Sequence, residues 1–426
     1  MENELSNKKG YLNQKEITNY LLEISEDIEN IDNLLIIPPD YTRKFSGSGK
    51  IVSELYKILE DKVSHIDILI ASGTHESMSK KMIKDMFGQN IPLENFNFHN
   101  WREDIKKIGI IPADLINKLS KGYMKEEIPL KINKRIVEPK YDLVLSVGQV
   151  LPHEVVGMAN YTKNIVVGCG GQEIINKSHY LGAISGIENV LGRDYSPVRK
   201  LYDYAENNLL QKIPLKYILT VCSTNLDTET DNTKVKGIFY GRDREIFEKA
   251  VKLSQQENII ELDHKYDKII VYLDPEEFQS TWLGNKAVYR SRLAVADKGE
   301  IIIAAPGINK FGEDKEIDTL IRKYGHLKSS KITRLVEENK DLQNNLSAAA
   351  HLMHGSSEGR FKITLAAPNL SKKEIENVNY NYLDMDKLKR KYKLESLKSG
   401  KNVIEINGKK EEVYYIDNPA TGLWKA

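Results

Sequence analysis

Short apolar runs alternate with amphipathic stretches through most of this chain, and this alternation limits the folds open to it. Five such runs precede residue 230: NLLIIPPD (33–40), IDILIASGTH (66–75), YDLVLSVG (141–148), NIVVGCGG (164–171) and YILTVCS (217–223). Several end in glycine, serine or proline and lead into a helical pattern such as GKIVSELYKILEDK (49–62). Runs of this kind are typical of parallel strands joined by helices. The sequence therefore predicts an α/β fold with largely parallel sheets.

A second α/β series follows residue 260. Its predicted strands are DKIIVYLDP (267–275), GEIIIAAPG (299–307) and RFKITLAA (360–367), and its predicted helices lie at 314–325 and 331–352. A long helix predicted at 243–258 leads into this series. We therefore expect two α/β domains, at 1–260 and 261–399, with the active site in the cleft between them. The tail 400–426 is expected to return to the first domain. Ligands of such folds bind beyond the carboxyl ends of the strands.

Composition excludes several classes of function. The 62 Lys and Arg residues nearly balance the 61 Asp and Glu residues, so no net field favours nucleic acid or an anionic membrane. The only two cysteines, Cys169 and Cys222, are too few for a disulfide framework. The polar N-terminus does not resemble a secretory signal, and no apolar run approaches the roughly 20 residues of a membrane span. We expect a cytoplasmic protein with a small-molecule partner.

Three familiar motifs are approached but not completed. SGSGK (46–50) lacks the first glycine and the final Ser or Thr of a phosphate loop. Residues 168–171 read GCGG, but Glu173 occupies the third glycine position of a dinucleotide fingerprint. His153 and Glu154 would begin a zincin motif whose second histidine position is Gly157. Ordinary nucleotide-dependent and zinc enzymes are therefore disfavoured.

A dispersed set of polar residues remains at the predicted strand ends. Asp40 and His75 directly follow strands, and His153, Lys163 and His179 follow the strand at 141–148. Each residue taken alone has a structural explanation, such as capping a turn. Titratable groups at neighbouring strand ends of one sheet would nevertheless converge on one site.

This set resembles the nickel-pincer lactate racemase family along essentially the whole chain. Members carry a DYTR segment after an early strand, SGTH after the next, and Pro-His followed by a lysine and a further histidine. Residues 40–43 read DYTR and residues 72–75 read SGTH here. The family spacings of ten and sixteen residues hold for His153, Lys163 and His179, since 163 − 153 = 10 and 179 − 163 = 16. The combination of elements is specific, although no single one would be.

The resemblance implies a nickel-pincer nucleotide, pyridinium-3,5-bisthiocarboxylate mononucleotide nickel, as the cofactor. Lys163 would attach it through a thioamide bond, and His179 would supply the fourth ligand to nickel. The other cofactor-binding residues implied are Asp40, Tyr41, Thr42 and Arg43. Proteins that synthesise the cofactor are implied as partners. The loop before the lysine is small and rich in Ser and Gly in the lactate racemase type, whereas residues 159–162 read Ala-Asn-Tyr-Thr here.

The implied activity is racemisation or epimerisation at C2 of a 2-hydroxy acid by reversible hydride transfer. One of His75 and His153 would remove the hydroxyl proton, and the other would return a proton on the opposite face. An imidazole pKa near 6.5 suits both tasks. Arg43 would bind the substrate carboxylate through its planar guanidinium. Gln279 and Lys286 are the corresponding substrate contacts expected in the second domain.

The segment HLMHGSSEGR (351–360) is dense in polar side chains. His354, Ser357 and Arg360 are predicted to line a pocket for a substrate larger and more polar than lactate, such as a sugar acid. A site built to pair hydroxyl groups rejects analogues that lack them. The alternative is a helix end followed by a solvated turn.

Three other functions stay open at this stage. The chain could be a lactate racemase proper, or it could bind and store the nickel cofactor without catalysis. It could also be a one-way dehydrogenase, although no flavin or iron–sulfur motif is present to accept electrons. Two histidines at strand ends favour catalysis over storage, because storage would need only Lys163 and His179.

Overall fold

The structure is a computed structural model that describes residues 4–28, 30–224, 233–406 and 408–426. Residues 1–3 of the first predicted domain and Asn407 of the predicted tail lie outside the described residues. The chain divides into two compact units. The first comprises Met1–Leu181 and Val190–Asn258, and the second comprises Gly182–Asn189 and Ile259–Ala426.

The first unit contains a seven-stranded sheet in the order β1-β11-β10-β7-β2-β3-β4. Strands up to Asn258 are β1 (Glu4–Ser6), β2 (Asn33–Ile37), β3 (His65–Ile70), β4 (Phe96–Phe98), β5 (Ile105–Ile111), β6 (Ile128–Asn133), β7 (Leu143–Gln149), β8 (Pro152–His153), β9 (Gly157–Met158), β10 (Leu215–Cys222) and β11 (Val235–Gly241). Helices are α1 (Gln14–Glu26), α2 (Ser48–Leu59), α3 (Lys80–Phe87), α4 (Ala113–Leu119), α5 (Thr162–Val166), α6 (Gln172–Ile184), α7 (Ile187–Val190), α8 (Pro197–Asn208) and α9 (Arg244–Asn258). The run β10-β7-β2-β3-β4 is parallel, while β11 pairs antiparallel with β10 and β1.

The parallel strands form where the sequence is apolar on both faces. Every residue of β7 is buried, as is every residue of β2 after Asn33. Ile36 and Val147 belong to one core cluster with Leu55 of α2, the helix predicted at 49–62. Strands β7, β2 and β3 are neighbours, so the loops at their carboxyl ends begin side by side. These are the loops that carry His153, Asp40 and His75.

The second unit contains a six-stranded sheet in the order β16-β15-β14-β13-β18-β17. Its strands are β12 (Ile259–Glu261), β13 (Tyr266–Tyr272), β14 (Val295–Ala304), β15 (Lys362–Ala366), β16 (Asn381–Tyr382), β17 (Gly400–Ile406), β18 (Lys409–Ile416) and β19 (Leu423–Lys425). Its helices are α10 (Thr281–Gly284), α11 (Lys286–Ser291), α12 (Lys315–Tyr324), α13 (Ser329–Glu338), α14 (Lys340–Asn344), α15 (Leu346–His354), α16 (Lys372–Asn377) and α17 (Met385–Tyr392). Only the β17–β18 pair is antiparallel among the described strands of this sheet.

Three predictions about elements were wrong. The run at 164–171 is not a strand, because its first residues belong to the short helix α5. The single helix expected at 331–352 is three helices, since Asn339 and Asn345 adopt non-helical backbone angles. The tail at 400–426 does not return to the first unit, because β18 pairs with β13 and β19 pairs with β12.

Candidate functional site

Asp40 and His75 are in direct contact at the ends of two neighbouring strands. The Asp40 carboxylate is buried and accepts a hydrogen bond from Nδ1 of His75 at 2.6 Å. Its other oxygen accepts from the backbone N–H and the hydroxyl of Thr42, at 3.1 and 2.6 Å. Burial alone would raise the pKa of Asp40, but His75 and Thr42 more than offset it and lower the pKa. Because Nδ1 of His75 donates to the carboxylate, the lone pair of a neutral His75 lies on Nε2.

The DYTR segment leads into a 3-10 helix at Tyr41–Ser46, and Asp40 caps this helix. The Tyr41 hydroxyl donates a hydrogen bond to Asp85. Thr42 is exposed to solvent, and its hydroxyl donates a hydrogen bond to Asp40. Arg43 is half-buried, and its charge contributes to lowering the pKa of both His153 and Lys163. The guanidinium therefore acts on the two residues that follow β7.

His153 lies in the two-stranded β8–β9 hairpin that follows β7. The side chain is buried, and its Nδ1 accepts a hydrogen bond from the backbone N–H of Val155 at 3.1 Å. A neutral His153 therefore carries its proton on Nε2, the opposite arrangement to His75. Burial holds the pKa of His153 well below its usual value; Glu154 opposes the shift, and Lys163, Arg43 and His179 add to it.

Lys163 is the second residue of the short helix α5. Its side chain retains partial contact with solvent. Burial among protein atoms, aided by the charges of Arg43 and Arg199 and opposed by that of Glu154, lowers the pKa of Lys163 to about 8. A substantial fraction of the side chain is therefore a neutral amine near pH 8, which is the form that can act as a nucleophile.

His179 is on α6, and its Nδ1 donates to the backbone carbonyl of Ile175 at 2.6 Å. Burial, with a contribution from the charge of Lys163, lowers the pKa of His179 to about 4. The imidazole is therefore neutral near pH 7, with its lone pair on Nε2. Metal-binding histidines have this arrangement, since the second nitrogen usually donates to a carbonyl or carboxylate. The described residues contain no group of three or more His, Cys, Asp or Glu that could hold a metal ion.

Two residues that sequence reasoning missed belong to this environment. The carboxylate of Glu154 lies 3.5 Å from Nδ1 of His153. Its negative charge also opposes the lowering of the pKa of Lys163 and of His179. Glu154 directly follows the Pro-His pair, and the sequence drew attention to it only as the second residue of an incomplete zincin motif. Arg199, on α8, gave no sequence signal at all, because it is one position of an amphipathic helix.

The two contacts predicted in the second unit differ in their surroundings. Lys286 is the first residue of α11 and is buried, with its Nζ 3.8 Å from a carboxylate oxygen of Glu277. Gln279 is exposed, and its backbone carbonyl accepts a hydrogen bond from Asn309. A buried lysine is a residue type that can bind an anion, whereas Gln279 is exposed.

The predicted polar pocket at 351–360 is instead held by contacts within the second unit. Arg360 donates to Glu188 at 2.9 Å, to Asp297 at 2.8 Å and to the carbonyl of Arg292 at 2.8 Å. The Ser357 hydroxyl accepts from the backbone N–H of Gly359 in a turn. Most polar atoms of Arg360 thus have partners within the protein, and the Ser357 hydroxyl has one, while the assignment of both residues to substrate stays a prediction.

His354 and the nearby His351 are buried around a polar network at the end of α15. The Asn285 side-chain nitrogen lies 3.2 Å from Nε2 of His351 and 3.4 Å from Nε2 of His326. The Tyr380 hydroxyl donates to Asn285 at 3.0 Å. Burial lowers the pKa of His326 to about 4, so this ring is neutral near pH 7. The network is an interior structure, and His354 is part of that interior rather than of a solvated turn.

Residues 21–191 match the family model described as the lactate racemase N-terminal domain. This stretch of the chain is similar to that domain. The lactate racemase N-terminal domain, as matched, contains every candidate residue of the first unit from Asp40 to His179. The strand-end loops and the helices α5 and α6 therefore all lie within the matched stretch.

One curated relative and two solved structures extend the comparison. The lactate racemase of Thermoanaerobacterium thermosaccharolyticum is 26% identical over 291 residues, which cover 65% of this chain and 60% of the racemase. The match thus spans less than two thirds of that relative. A protein from Thermotoga maritima has a TM-score of 0.84 at 23% identity, and the match covers 99% of each chain. The lactate racemase apoprotein from T. thermosaccharolyticum has a TM-score of 0.70 at 17% identity, covering 98% of this chain and 94% of that one.

At these identities the two structures establish the fold, and they confirm the predicted α/β architecture with largely parallel sheets. Of the helices that the described residues form, none has the length and apolar composition needed to cross a membrane.

Proposed function

We propose that this chain is an isomerase that inverts C2 of a 2-hydroxy acid and uses a nickel-pincer nucleotide. The observation that carries the proposal is the pair formed by His75 and His153. Their Nδ1 atoms have opposite roles, one donating to Asp40 and the other accepting from Val155. One neutral imidazole therefore presents a proton acceptor at Nε2 and the other presents a donor. The lactate racemase N-terminal domain match supports the same reading.

The residues around Lys163 and His179 fit such a cofactor. His179 offers a neutral imidazole nitrogen, a ligand type that suits nickel. A single protein ligand is sufficient if the nucleotide itself supplies the other donors. Lys163 offers an amine with a lowered pKa for attachment, and the segment Asp40–Arg43 offers hydroxyl and guanidinium groups for the nucleotide. When bound, the nickel-pincer nucleotide would supply the electrophile that accepts hydrogen and its electron pair from C2.

The chain's own groups would handle the proton. Nε2 of His75 would accept the hydroxyl proton, and the buried Asp40 carboxylate would stabilise the imidazolium that results. The Nε2–H of His153 would donate a hydrogen bond to the oxygen when the substrate presents the other face, and the proton held by the His75 imidazolium would return to that oxygen as hydrogen and its electron pair return to C2. Arg43 would bind the substrate carboxylate through two parallel hydrogen bonds. Lys286 remains a candidate for a further substrate contact.

The identity of the acid is left open by this proposal. A sugar acid was expected because of the polar segment 351–360. Ser357 and Arg360 have partners within the protein, so these two residues do not by themselves argue for a sugar acid. We therefore assign a 2-hydroxy acid as the substrate class and make no assignment beyond C2.

The test is to produce the chain together with cofactor-synthesis proteins, and then to measure nickel content and the mass of the peptide containing Lys163. A panel of 2-hydroxy acids deuterated at C2 is then incubated with the loaded protein. Inversion with retention of deuterium is expected, because proton abstraction from C2 would exchange the label with water. Washout of the label would refute hydride transfer. Nickel binding without inversion of any acid would favour the storage function.

A further inference from the structure

The turn that precedes Lys163 has an unusual backbone. We call residues 159–162 the lysine turn. Asn160 and Tyr161 are consecutive and both have positive φ, at 68° and 60°. Asparagine tolerates this region, but an aromatic residue there is an outlier. The Tyr161 ψ of −137° takes it outside the left-handed helical region as well. Such conformations cost on the order of 1–3 kcal/mol each and persist only where surrounding contacts enforce them.

Arg199 supplies the first of these contacts from α8. It is fully buried, and its Nη2 donates to the carbonyls of Met158 at 2.8 Å and Asn160 at 3.1 Å. The guanidinium lies 4.3 Å from the centre of the Phe247 ring. Its Nε and Nη1 are buried without a hydrogen-bond partner. A buried cation left partly unsatisfied is costly, so its retention points to a specific task for the bonds that it does make.

Glu206, about two turns further along α8, supplies the second set of contacts. It is buried and accepts hydrogen bonds from the Thr162 hydroxyl at 3.1 Å and from Nε of Arg242 at 3.0 Å. The carbonyl of Arg242 in turn accepts the Tyr161 hydroxyl at 2.6 Å, and the Tyr161 ring stacks on Phe247 at 5.1 Å. Tyr161 and Thr162, the two residues that follow Asn160, are thus both held by hydrogen bonds of their side chains.

Gly148 of β7 completes the enclosure. A Cβ at this position would lie 1.8 Å from the side-chain nitrogen of Asn160, so only glycine allows Asn160 to pack against the strand. The lysine turn is therefore bound by β7 on one side and by α8 and Phe247 elsewhere, and Lys163 follows it directly.

We propose that Arg199 and Glu206 are positioning residues, which hold the lysine turn in one conformation and thereby fix the direction of Lys163. The inference deepens the proposed function, since it rests on Lys163 as the residue that attaches the cofactor. It assigns to α8 the task of presenting that amine. Neither residue is required to touch the cofactor or the substrate.

The test uses the full-length protein and two sets of variants. Arg199→Met keeps the volume but removes both bonds to the carbonyls, and the double variant Tyr161→Phe with Thr162→Val removes only two hydroxyls. Tyr240→Phe is the matched control, since its hydroxyl donates to Asp27 instead. Amide hydrogen exchange of residues 158–167, acetylation of Lys163 relative to other lysines, and nickel content after co-production with cofactor-synthesis proteins are measured for each.

Arg199→Met should accelerate exchange in the lysine turn by about 10- to 100-fold, and the double variant by a smaller factor. Both should change the acetylation rate of Lys163 severalfold and reduce nickel content, whereas Tyr240→Phe should match the wild type. If exchange rises while Lys163 acetylation stays at the wild-type rate, the contacts are only scaffold and the inference is wrong. Unchanged exchange refutes it equally. If Arg199→Met does not fold, the double variant decides.

Failure of the proposed function would look different. If the wild-type protein takes up no nickel cofactor, the proposed function is wrong. The acetylation rates of Lys163 would still show whether α8 positions this residue.

Discussion

Replacing Asp40 by asparagine tests the central pair of the site with little change of shape. The wild-type carboxylate accepts three hydrogen bonds, one of them from Nδ1 of His75 at 2.6 Å. An asparagine that keeps its oxygen on Thr42 turns its amide group toward His75. Nδ1 of His75 must then accept, and the proton moves to Nε2. His75 would lose the lone pair that the proposed mechanism needs.

The expected cost is that of losing a general base, about 10²- to 10⁴-fold in kcat, or about 3–5 kcal/mol of activation free energy. Nickel content should stay near that of the wild type, since His179 and Lys163 are untouched. Removing charge-assisted bonds should also lower the free energy of unfolding by about 1.5–3 kcal/mol. The assay compares initial rates of C2 inversion in loaded wild-type and Asp40→Asn protein, with urea unfolding measured in parallel.

The pH dependence of the free energy of unfolding provides a second, independent test of the role of Asp40. The folded pKa of Asp40 is lowered, so its stabilising contribution is present above the unfolded pKa of about 3.9 and is lost as pH falls through the folded pKa. The stability gap between wild type and Asp40→Asn should therefore be constant above about pH 5 and shrink in more acidic buffer. Asp67→Asn is a matched control, since Asp67 is also buried and bonded but pairs with Tyr141. An Asp40→Asn rate within tenfold of the Asp67→Asn rate would refute the assigned role of the Asp40–His75 pair.

Further predictions concern the remaining residues. His153→Gln should lower C2 inversion by about 10²- to 10⁴-fold with nickel retained, whereas His179→Ala should lose nickel, as measured by elemental analysis. Arg360→Ala should cost about 1 kcal/mol or less per lost ion pair in urea unfolding and leave the ranking of substrates unchanged; a changed ranking would restore its substrate role. Gly355→Ala should destabilise the second unit by about 1–3 kcal/mol, because the new Cβ would lie 2.4 Å from Nδ1 of His326. An unfolding midpoint equal to that of the wild type would contradict it.

Parallel strands were predictable because burial on both faces leaves a continuous apolar run, as in β2 and β7. The run at 164–167 misled for the same reason, since a short apolar segment does not distinguish a buried strand from a buried helix. Asn164 decides the outcome through tertiary contacts, with its side-chain nitrogen bonded to the carbonyl of Ile37 and the hydroxyl of Ser146. Those partners are remote in sequence, so no local pattern could reveal them.

The site divides in a similar way. The contact between Asp40 and His75 follows from the rule that neighbouring strand ends meet at one edge, and the structure contains it. The ring-nitrogen roles of His75, His153 and His179 depend on single backbone or carboxylate partners and could not be read from sequence. The substrate assignments of Ser357 and Arg360 stay predictions, because polar density in a sequence does not distinguish a ligand pocket from an internal network such as the one that holds Arg360.

The division of the chain has a consequence for how this protein can be cut or recombined. Gly182–Asn189 belongs to the second unit although the chain returns to the first at Val190, so the polypeptide changes unit three times. Glu188 in this insertion binds both Arg292 and Arg360. A fragment ending at Asn258 would keep Glu188 and lose both arginines, and the fragment beginning at Ile259 would bury Arg292 without its carboxylate. Domain shuffling at residue 258 alone would thus produce two damaged pieces, and only an exchange that also moves the eight-residue insertion would leave each unit whole.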